Sequence, residues 1–158
     1  ANKATNIFRL RSLSGTYSSN NLSVSNLIYS FYWQGVGLGI SNLSYKLESS
    51  GNNYALSGQT LDLSYTSGDS LSWSLGYGTV LSGKGIISSS SNKYETNTVK
   101  GSNFSALIGM GWGSFEGLVG YQIFNLTYDA FKNQSGISLS KPTSVSIGLF
   151  LLGVGVSF

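Results

Sequence analysis

The sequence contains no cysteine and no histidine, and these two absences exclude much of the chemistry that proteins perform. Without cysteine there is neither a disulfide framework nor a thiolate metal site, which is compatible with an oxidising compartment but does not require one. Without histidine, a serine nucleophile lacks its usual general base. The sequence therefore predicts a protein that is not an enzyme and that holds no cofactor and no metal ion.

Charged residues are also scarce. Asp, Glu, Lys and Arg make up 9% of the chain, whereas ordinary soluble domains contain about 25%. So few charges cannot coat a water-facing surface generously, and the formal net charge of +3 is too small and scattered to indicate nucleic acid as a partner. The longest nearly unbroken apolar run, residues 147–156, is shorter than the ~18 residues of a membrane-spanning helix. A chain of this kind can span a bilayer only as a closed β-barrel.

What the sequence does contain is glycine, serine and aromatic residues in an alternating pattern. There are 21 glycines against a single proline, and aromatic residues make up 13% of the chain. No useful helical period is found, whereas in residues 71–81 apolar side chains alternate with serine and glycine. Such alternation indicates strands with one apolar face and one small or polar face. We therefore predict an all-β fold that forms a single domain over residues 1–158.

Eight strands are predicted, joined by connections that alternate between longer and shorter. The longer connections are residues 15–22, 48–54, 83–102 and 129–142, and the shorter ones are residues 34–35, 67–69 and 113–114. This asymmetry is typical of an antiparallel up-and-down transmembrane β-barrel, which has short periplasmic turns and longer external loops. The first strand, residues 5–14, is the weakest. The change in apolar phase after Asn42 predicts a bulge or the exit from the membrane.

Several polar side chains fall on the small-residue face and are expected to meet inside the barrel. The interior of an eight-stranded barrel is only wide enough to be filled by side chains, and buried charges there need partners. The residues predicted to form this polar cluster of the lumen are Arg9, Arg11, Gln34, Asp62, Glu116 and Gln122. Most simply they form a structural plug, and the alternative is a functional polar pathway.

The three tryptophans lie close to the short turns. Amphipathic rings favour the boundary between lipid and water. We therefore predict that Trp33, Trp73 and Trp112, together with Phe158, form an aromatic girdle at one membrane surface. The alternative is that the tryptophans simply end strands of a soluble core.

One short motif approaches a nucleotide-binding site without meeting its requirements. Gly78, Gly83 and Lys84 match the spacing of a phosphate-binding loop. The following residue must supply a hydroxyl for magnesium and begin a helix, but Gly85 has no side chain and IISSSS follows. Nucleotide binding is therefore not predicted.

The C-terminal residues resemble a known signature. Counting back from Phe158 in steps of two gives Val156, Val154, Leu152 and Phe150, with small residues between them. This resembles the C-terminal signature of bacterial outer-membrane β-barrels, in which a terminal Phe follows apolar residues at alternate positions. The resemblance is to the small class exemplified by OmpX, OmpW and the membrane domain of OmpA. It implies that these five residues are an insertion signal for the barrel-assembly machinery.

The resemblance also implies a location and a role. We expect an integral protein of a Gram-negative outer membrane, surrounded by lipid and lipopolysaccharide, whose mature chain begins at Ala1 after removal of a signal peptide. The expected role is non-enzymatic, either structural or in surface interaction, with residues 84–102 as the contact surface for a partner.

Two alternatives stay open. One is a narrow conduit or carrier for a small hydrophobic molecule, as OmpW-like barrels are proposed to be. In that case an apolar upper cavity would be lined by Val80, Leu118, Leu149 and Leu151. The other is a soluble, lipocalin-like ligand-binding barrel, which requires the large apolar side chains to point inward.

Overall fold

The computed structural model describes residues 8–68, 70–90, 92–138 and 142–158. Within these ranges the chain forms ten strands: β1 (Phe8–Ser18), β2 (Leu22–Trp33), β3 (Val36–Ser49), β4 (Asn52–Gly68), β5 (Leu71–Ser88), β6 (Lys93–Thr96), β7 (Thr98–Trp112), β8 (Phe115–Asp129), β9 (Lys132–Asn133) and β10 (Thr143–Ser157). None of the described residues lies in a helix that is long and apolar enough to cross a membrane.

Eight of these strands close into an antiparallel barrel in the order β1, β2, β3, β4, β5, β7, β8, β10. The seam between β10 and β1 runs from the pair Arg9 and Ser157 to the pair Ser14 and Leu152. Two backbone hydrogen bonds of 3.0 and 2.9 Å between Phe8 and Phe158 extend it. Each barrel strand is therefore paired on both sides, as a spanning β structure requires. This confirms the predicted eight-stranded transmembrane barrel. Residues 5–7 of the predicted first strand lie outside the described ranges, and the described part of that strand is Phe8–Ser18.

Most of the large apolar side chains point outward. On β5, Trp73 and Tyr77 are 49% and 59% exposed, whereas Ser72 and Ser74 on the opposite face are each 3% exposed. On β8 the outward apolar residues run from Phe115 to Ile123, which is ~26 Å along the strand and ~20 Å along the barrel axis at a tilt of about 40°. We call this outward apolar surface the belt. A soluble lipocalin-like barrel needs the opposite orientation, so that hypothesis is wrong.

The short turns lie at one end of the barrel, which we call the lower end. Gln34 and Gly35 have φ of 51° and 89°, and two positive φ values are what a two-residue type I′ hairpin turn requires. Gly113 has φ of 66° in the turn between β7 and β8. The third predicted turn includes Asp69, which lies outside the described residues.

The connections at the upper end are shorter than the sequence predicted. The predicted loop over residues 48–54 is a two-residue turn, because β3 continues to Ser49 and β4 begins at Asn52. Ser50 and Gly51 have φ of 50° and 82° there. Above the belt, segments rich in serine and asparagine still form the backbone hydrogen bonds of strands. Their sequence no longer alternates between apolar and polar residues, so they do not look like strands in the sequence.

Much of residues 83–102 is also strand. The upper end of β5 pairs with β6, and β6 pairs in turn with β9 from the following connection. The loss of apolar alternation in residues 83–102 predicts either a long loop or strand extensions beyond the membrane, and over most of this segment the structure has strand. The upper end of β5 with β6 and β9 forms a small three-stranded layer that we call the tip sheet.

Of the two alternatives predicted after Asn42, a bulge or the exit from the membrane, the bulge is not found. β3 pairs with β2 and with β4 without interruption from Val36 to Leu47. A register shift occurs instead between β4 and β5, at Gln59 and Thr60. The apolar phase changes on β3 because Leu43 points into the barrel, where it is 3% exposed. The upper lumen is therefore apolar.

Candidate functional site

The lower lumen is filled by a buried ion pair between β1 and β8. Arg11 Nε donates to Glu116 Oε1 at 2.6 Å and Arg11 Nη2 donates to Oε2 at 3.3 Å. Arg11 Nη1 also donates to the hydroxyls of Thr66 and Ser74 at 2.9 and 2.7 Å. Arg9 Nε lies 3.8 Å from Glu116 Oε1. The carboxylate therefore has two cationic neighbours, and the fully buried guanidinium of Arg11 has hydrogen bonds that compensate its loss of water.

Glycine on the inward face makes room for these large polar groups. A Cβ added at Gly155 would collide with the carboxylate of Glu116, and one added at Gly37 would collide with the ring of Tyr32. The Arg11 guanidinium carbon lies 4.6 Å from the centre of that ring, within the range of a cation–π contact. The small-residue face recognised in the sequence is thus the complement of a few large side chains.

A second polar cluster lies higher in the lumen, around Asp62. Thr60 Oγ1 and Asn103 Nδ2 each donate to Asp62 Oδ1 at 2.8 Å. The Ser41 hydroxyl donates to Asp62 Oδ2. The cluster extends across the barrel through Gln122, whose Nε2 donates to Ser41 Oγ at 3.4 Å. In the described part of the chain this carboxylate is held by neutral donors, without a cation within ion-pair distance.

The six residues predicted to form one polar cluster are divided between these two, with one exception. Arg9, Arg11 and Glu116 belong to the lower cluster, and Asp62 and Gln122 belong to the upper one. Gln34 belongs to neither: it is exposed in the turn between β2 and β3, where the positive φ takes it out of the inward phase of β2. The partners that the prediction missed are Asn26, Ser41, Thr60, Thr66, Ser74 and Asn103. All lie at inward positions, so strand phase could have found them.

Apolar layers separate and cover the polar clusters. Directly above the ion pair is a buried layer of Leu13, Ile28, Leu107, Leu118 and Leu151. Above Asp62, the larger layer comprises Val24, Leu43, Leu56, Phe124, Leu126, Tyr128, Phe131, Ile147 and Leu149, with Val80 packed against it. An internal cavity beside Asp62 measures only about 20 Å³, roughly the volume needed for one water molecule. The residues expected to line an apolar upper cavity are instead packed in these layers, and the described residues enclose no continuous apolar shaft.

Phe131 closes the upper end. It follows β8, has no exposed surface, and lies with the ring of Tyr128 against Gly85 on β5. Tyr128 donates its hydroxyl to the carbonyl oxygen of Ser57 at 2.8 Å. The hydroxyl of Thr96 on β6 donates to the backbone carbonyl of Asp129. These contacts attach the tip sheet to the mouth of the barrel.

The tip sheet carries a polar groove of about 480 Å³. The groove is lined by Ser88, Ser89, Asn92, Lys93, Asn133, Gln134 and Ser135. Asn133 Oδ1 accepts hydrogen bonds from the backbone N–H groups of Ser135 and Ile137 at 3.0 and 2.8 Å, which fixes one wall. Lys93 forms an exposed ion pair of 3.1 Å with Glu95. The groove thus offers hydroxyl, amide and ammonium groups on a hydrogen-bonded framework.

The predicted girdle residues all face outward near the lower end. They are Trp33, Trp73, Trp112 and Phe158. Phe158 stacks on Phe8 across the seam, with ring centres 5.8 Å apart. The residues of the C-terminal signature, Phe150, Leu152, Val154 and Val156, also lie on the outward face of β10. That this strand acts as an insertion signal stays a prediction.

Comparison with known proteins identifies the fold. No protein-family model and no curated protein matches the sequence. Solved structures match over nearly the whole length. Neisserial surface protein A has 12% identity and a TM-score of 0.58, with 96% of this chain and 97% of that chain covered. The chain has the fold of the small outer-membrane β-barrels.

Two further structures of this fold match in the same way. The N-terminal β-barrel domain of Pseudomonas aeruginosa OprF has 15% identity and a TM-score of 0.54, with 97% of this chain and 98% of that chain covered. Ail, the attachment invasion locus protein of Yersinia pestis, has 18% identity and a TM-score of 0.52, with 97% of each chain covered. At these identities the likeness establishes the fold alone.

Proposed function

We propose that the protein is a non-enzymatic barrel of a Gram-negative outer membrane that acts at the cell surface through its tip sheet. The observation that carries the proposal is the polar groove between the β5–β6 connection and the β9 region, above a barrel whose lumen is filled. A filled lumen favours a role on the surface over a role in passage, because neither a polar nor an apolar path is open along the described residues. The hypothesis of a conduit therefore has less support.

The fold neighbours agree with this reading. One is described as a surface protein and another as an attachment invasion locus protein. The chemistry of the groove suits a ligand rich in hydroxyl and amide groups, such as a surface glycan, since Asn, Gln and Ser side chains both donate and accept hydrogen bonds. The tip sheet includes residues 85–88 and 93–96 of the segment 84–102, which was expected from the sequence to contact a partner.

A binding assay on whole bacteria tests the proposal. Cells that display the protein are expected to adhere to glycan-coated beads, and the double variant Asn92→Ala/Gln134→Ala is expected to lose most of that adhesion. Thr98→Ala, an exposed position on β7 outside the groove, is the control and should adhere like the parent. Equal adhesion by the groove variant and the parent, at equal surface amounts, would contradict the proposal.

We also propose that the chain enters the membrane through the barrel-assembly machinery, with β10 as the strand that is recognised. The support is the outward position of the signature residues, which leaves them accessible on the lipid face of the closing strand.

A further inference from the structure

The outer face of β3, β4 and β5 changes its chemistry in steps above the belt. The outward residues of β3 and β4 face each other in register, as the pairs Ile40 and Leu61, Asn42 and Gln59, Ser44 and Ser57, and Lys46 and Ala55. Lys84 on β5 pairs with Ser57 from the other side. From the membrane upward, the outward side chains on this face therefore change from aliphatic groups to amides, then to hydroxyls, and then to the ammonium groups of the lysines.

A groove in the belt leads up to this face. It measures about 790 Å³ and includes Leu38, Ile40 and Leu61 in its apolar lining, with Asn42 and Gln59 in its polar lining. Part of its depth comes from Ser12 on β1, a small residue whose neighbours in register are the larger Tyr29 and Val154. A groove of this kind on a lipid-facing surface fits acyl chains, because its walls are hydrocarbon.

The amide pair occupies the level between groove and lysines. Gln59 Nε2 donates to Asn42 Oδ1 at 3.0 Å. This bond fixes both side chains on the outer surface and leaves the Asn42 amide nitrogen and the Gln59 carbonyl oxygen for other polar partners. Groups that both donate and accept suit the hydroxyl and amide substituents of a sugar.

Lys46 and Lys84 flank β4 in adjacent outward rows, because Lys46 pairs with Ala55 and Lys84 pairs with Ser57. Both are exposed, and among the described residues neither forms an ion pair. Two strand spacings of ~4.8 Å and an offset of two residues place their Cα atoms ~12 Å apart. The two long side chains can therefore approach one anionic head group from both sides. Glu48, the next outward residue above Lys46, carries a negative charge, so the positive surface does not extend above Lys46 on this strand.

The height of Lys46 discriminates between head groups. Lys46 lies six residues above Ile40, the last aliphatic residue on the outward face of its strand, which is ~15 Å along the barrel axis at a tilt of about 40°. The polar layer of an ordinary phospholipid leaflet is only ~5–8 Å thick. A compact phosphate at the glycerol level lies too low to contact both lysines, whereas a phosphate carried on a sugar reaches them.

We propose that this face binds a phosphorylated glycolipid of the outer leaflet, with acyl chains in the belt groove, the sugar at the amide pair and a phosphate between Lys46 and Lys84. The site is independent of the tip sheet, so it stands or falls separately from the proposed surface function. It assigns to particular residues the contact with lipopolysaccharide that the sequence analysis expected only in general.

Native mass spectrometry of the purified full chain in detergent tests the site, with bisphosphorylated lipid A as the probe. The double variant Lys46→Ala/Lys84→Ala is expected to bind lipid A about 25-fold more weakly, because each lysine at an anionic surface contributes about fivefold. The control Lys100→Ala/Lys132→Ala removes two lysines from other strands and is expected to bind like the parent. Folding of each variant is checked by its mobility on unheated gels.

Two other ligands complete the test. Dephosphorylated lipid A should bind the parent as weakly as lipid A binds the double variant, and phosphatidylglycerol should bind more weakly than lipid A. Equal affinity of the parent and the folded Lys46→Ala/Lys84→Ala variant for lipid A would overturn the proposal. So would a phosphatidylglycerol affinity that matches that of lipid A, since a compact phosphate would then suffice.

Discussion

The buried ion pair in the lower lumen makes a strong and specific prediction about stability. Glu116→Gln keeps the shape of the side chain but removes its charge. Arg11, whose side chain is 0% exposed, then has only uncharged partners, namely the hydroxyls of Thr66 and Ser74, the ring of Tyr32 and the amide oxygen at position 116. Arg9 becomes a like-charged neighbour without a carboxylate between them. Removal of one partner from a buried pair costs about 3–5 kcal/mol. We expect this loss in the free energy of unfolding.

The opposite variant should cost less. Arg11→Met keeps most of the side-chain length and leaves Glu116 with Arg9, at 3.8 Å, as its partner. The hydroxyls of Thr66 and Ser74 still bond to each other at 2.6 Å, so neither loses its only partner. We expect a loss of about 1–3 kcal/mol. Once Arg11 is gone, the Glu116 carboxylate no longer compensates a buried cation, so Arg11→Met/Glu116→Gln should be about as stable as Arg11→Met alone. The coupling energy then equals the cost of Glu116→Gln, about 3–5 kcal/mol.

Reversible urea unfolding in phospholipid vesicles measures these energies, with tryptophan fluorescence and gel mobility as two reports of the folded state. Glu95→Gln is the matched control, because Glu95 pairs with Lys93 while the two side chains are 46% and 53% exposed. Exposed pairs contribute about 0–1 kcal/mol. The reasoning is refuted if Glu116→Gln costs no more than Glu95→Gln, or if the effects of the two lumen substitutions add.

Three further predictions address the belt, the interior and assembly. Leu75→Arg, on the outward face of β5 near mid-belt, should reduce the stability of the protein folded in vesicles by about 2–4 kcal/mol. Ser25→Arg, above the belt on β2, should reduce it by only about 0–1 kcal/mol. Equal losses would show that the assigned position of the membrane is wrong. Gly78→Ala should lose about 1–3 kcal/mol of unfolding free energy in urea titrations, because its Cβ would collide with the Asp62 carboxylate, whereas Gly117→Ala has only the Trp112 ring at 3.4 Å and should be neutral. Phe158→Ala should slow insertion by purified assembly machinery in proteoliposomes more than it slows spontaneous folding into vesicles; an equal effect on both rates would argue against a recognition signal.

The strand faces within the belt could be predicted from the sequence, because lipid imposes one rule on every strand. On β5, the alternation of Leu71, Trp73 and Leu75 with serine predicts which side meets hydrocarbon, and the structure agrees. The inward positions follow from the same phase. The prediction for Gln34 is wrong because β2 ends at Trp33, so the alternation of inward and outward side chains does not extend to Gln34 in the turn.

The partners inside the lumen could not be predicted. Arg11 and Glu116 are 105 residues apart in sequence and meet only because β10 lies between their strands in a particular register. That register depends on turn geometry and on the closing seam, neither of which leaves a readable pattern in one sequence. The strand pattern places both Asp62 and Glu116 on the inward face and so predicts one polar cluster. In the structure, the apolar layer above the ion pair separates the clusters to which they belong.

The change in apolar phase after Asn42, which occurs without a bulge, points to a second rule that governs the upper part of the barrel. Above the belt the outer surface meets water, so the apolar side chains of Val24, Leu43, Leu56 and Phe124 turn inward, as they would in a soluble barrel. The apolar phase therefore reverses on each of these strands without any irregularity of the backbone. The reversal lies next to Asn42 and its partner Gln59, which are in register. Because the reversal follows the change from lipid to water, it marks the outer surface of the bilayer on each strand. The amide pair of Asn42 and Gln59 lies at this surface, and Lys46 and Lys84 lie above it.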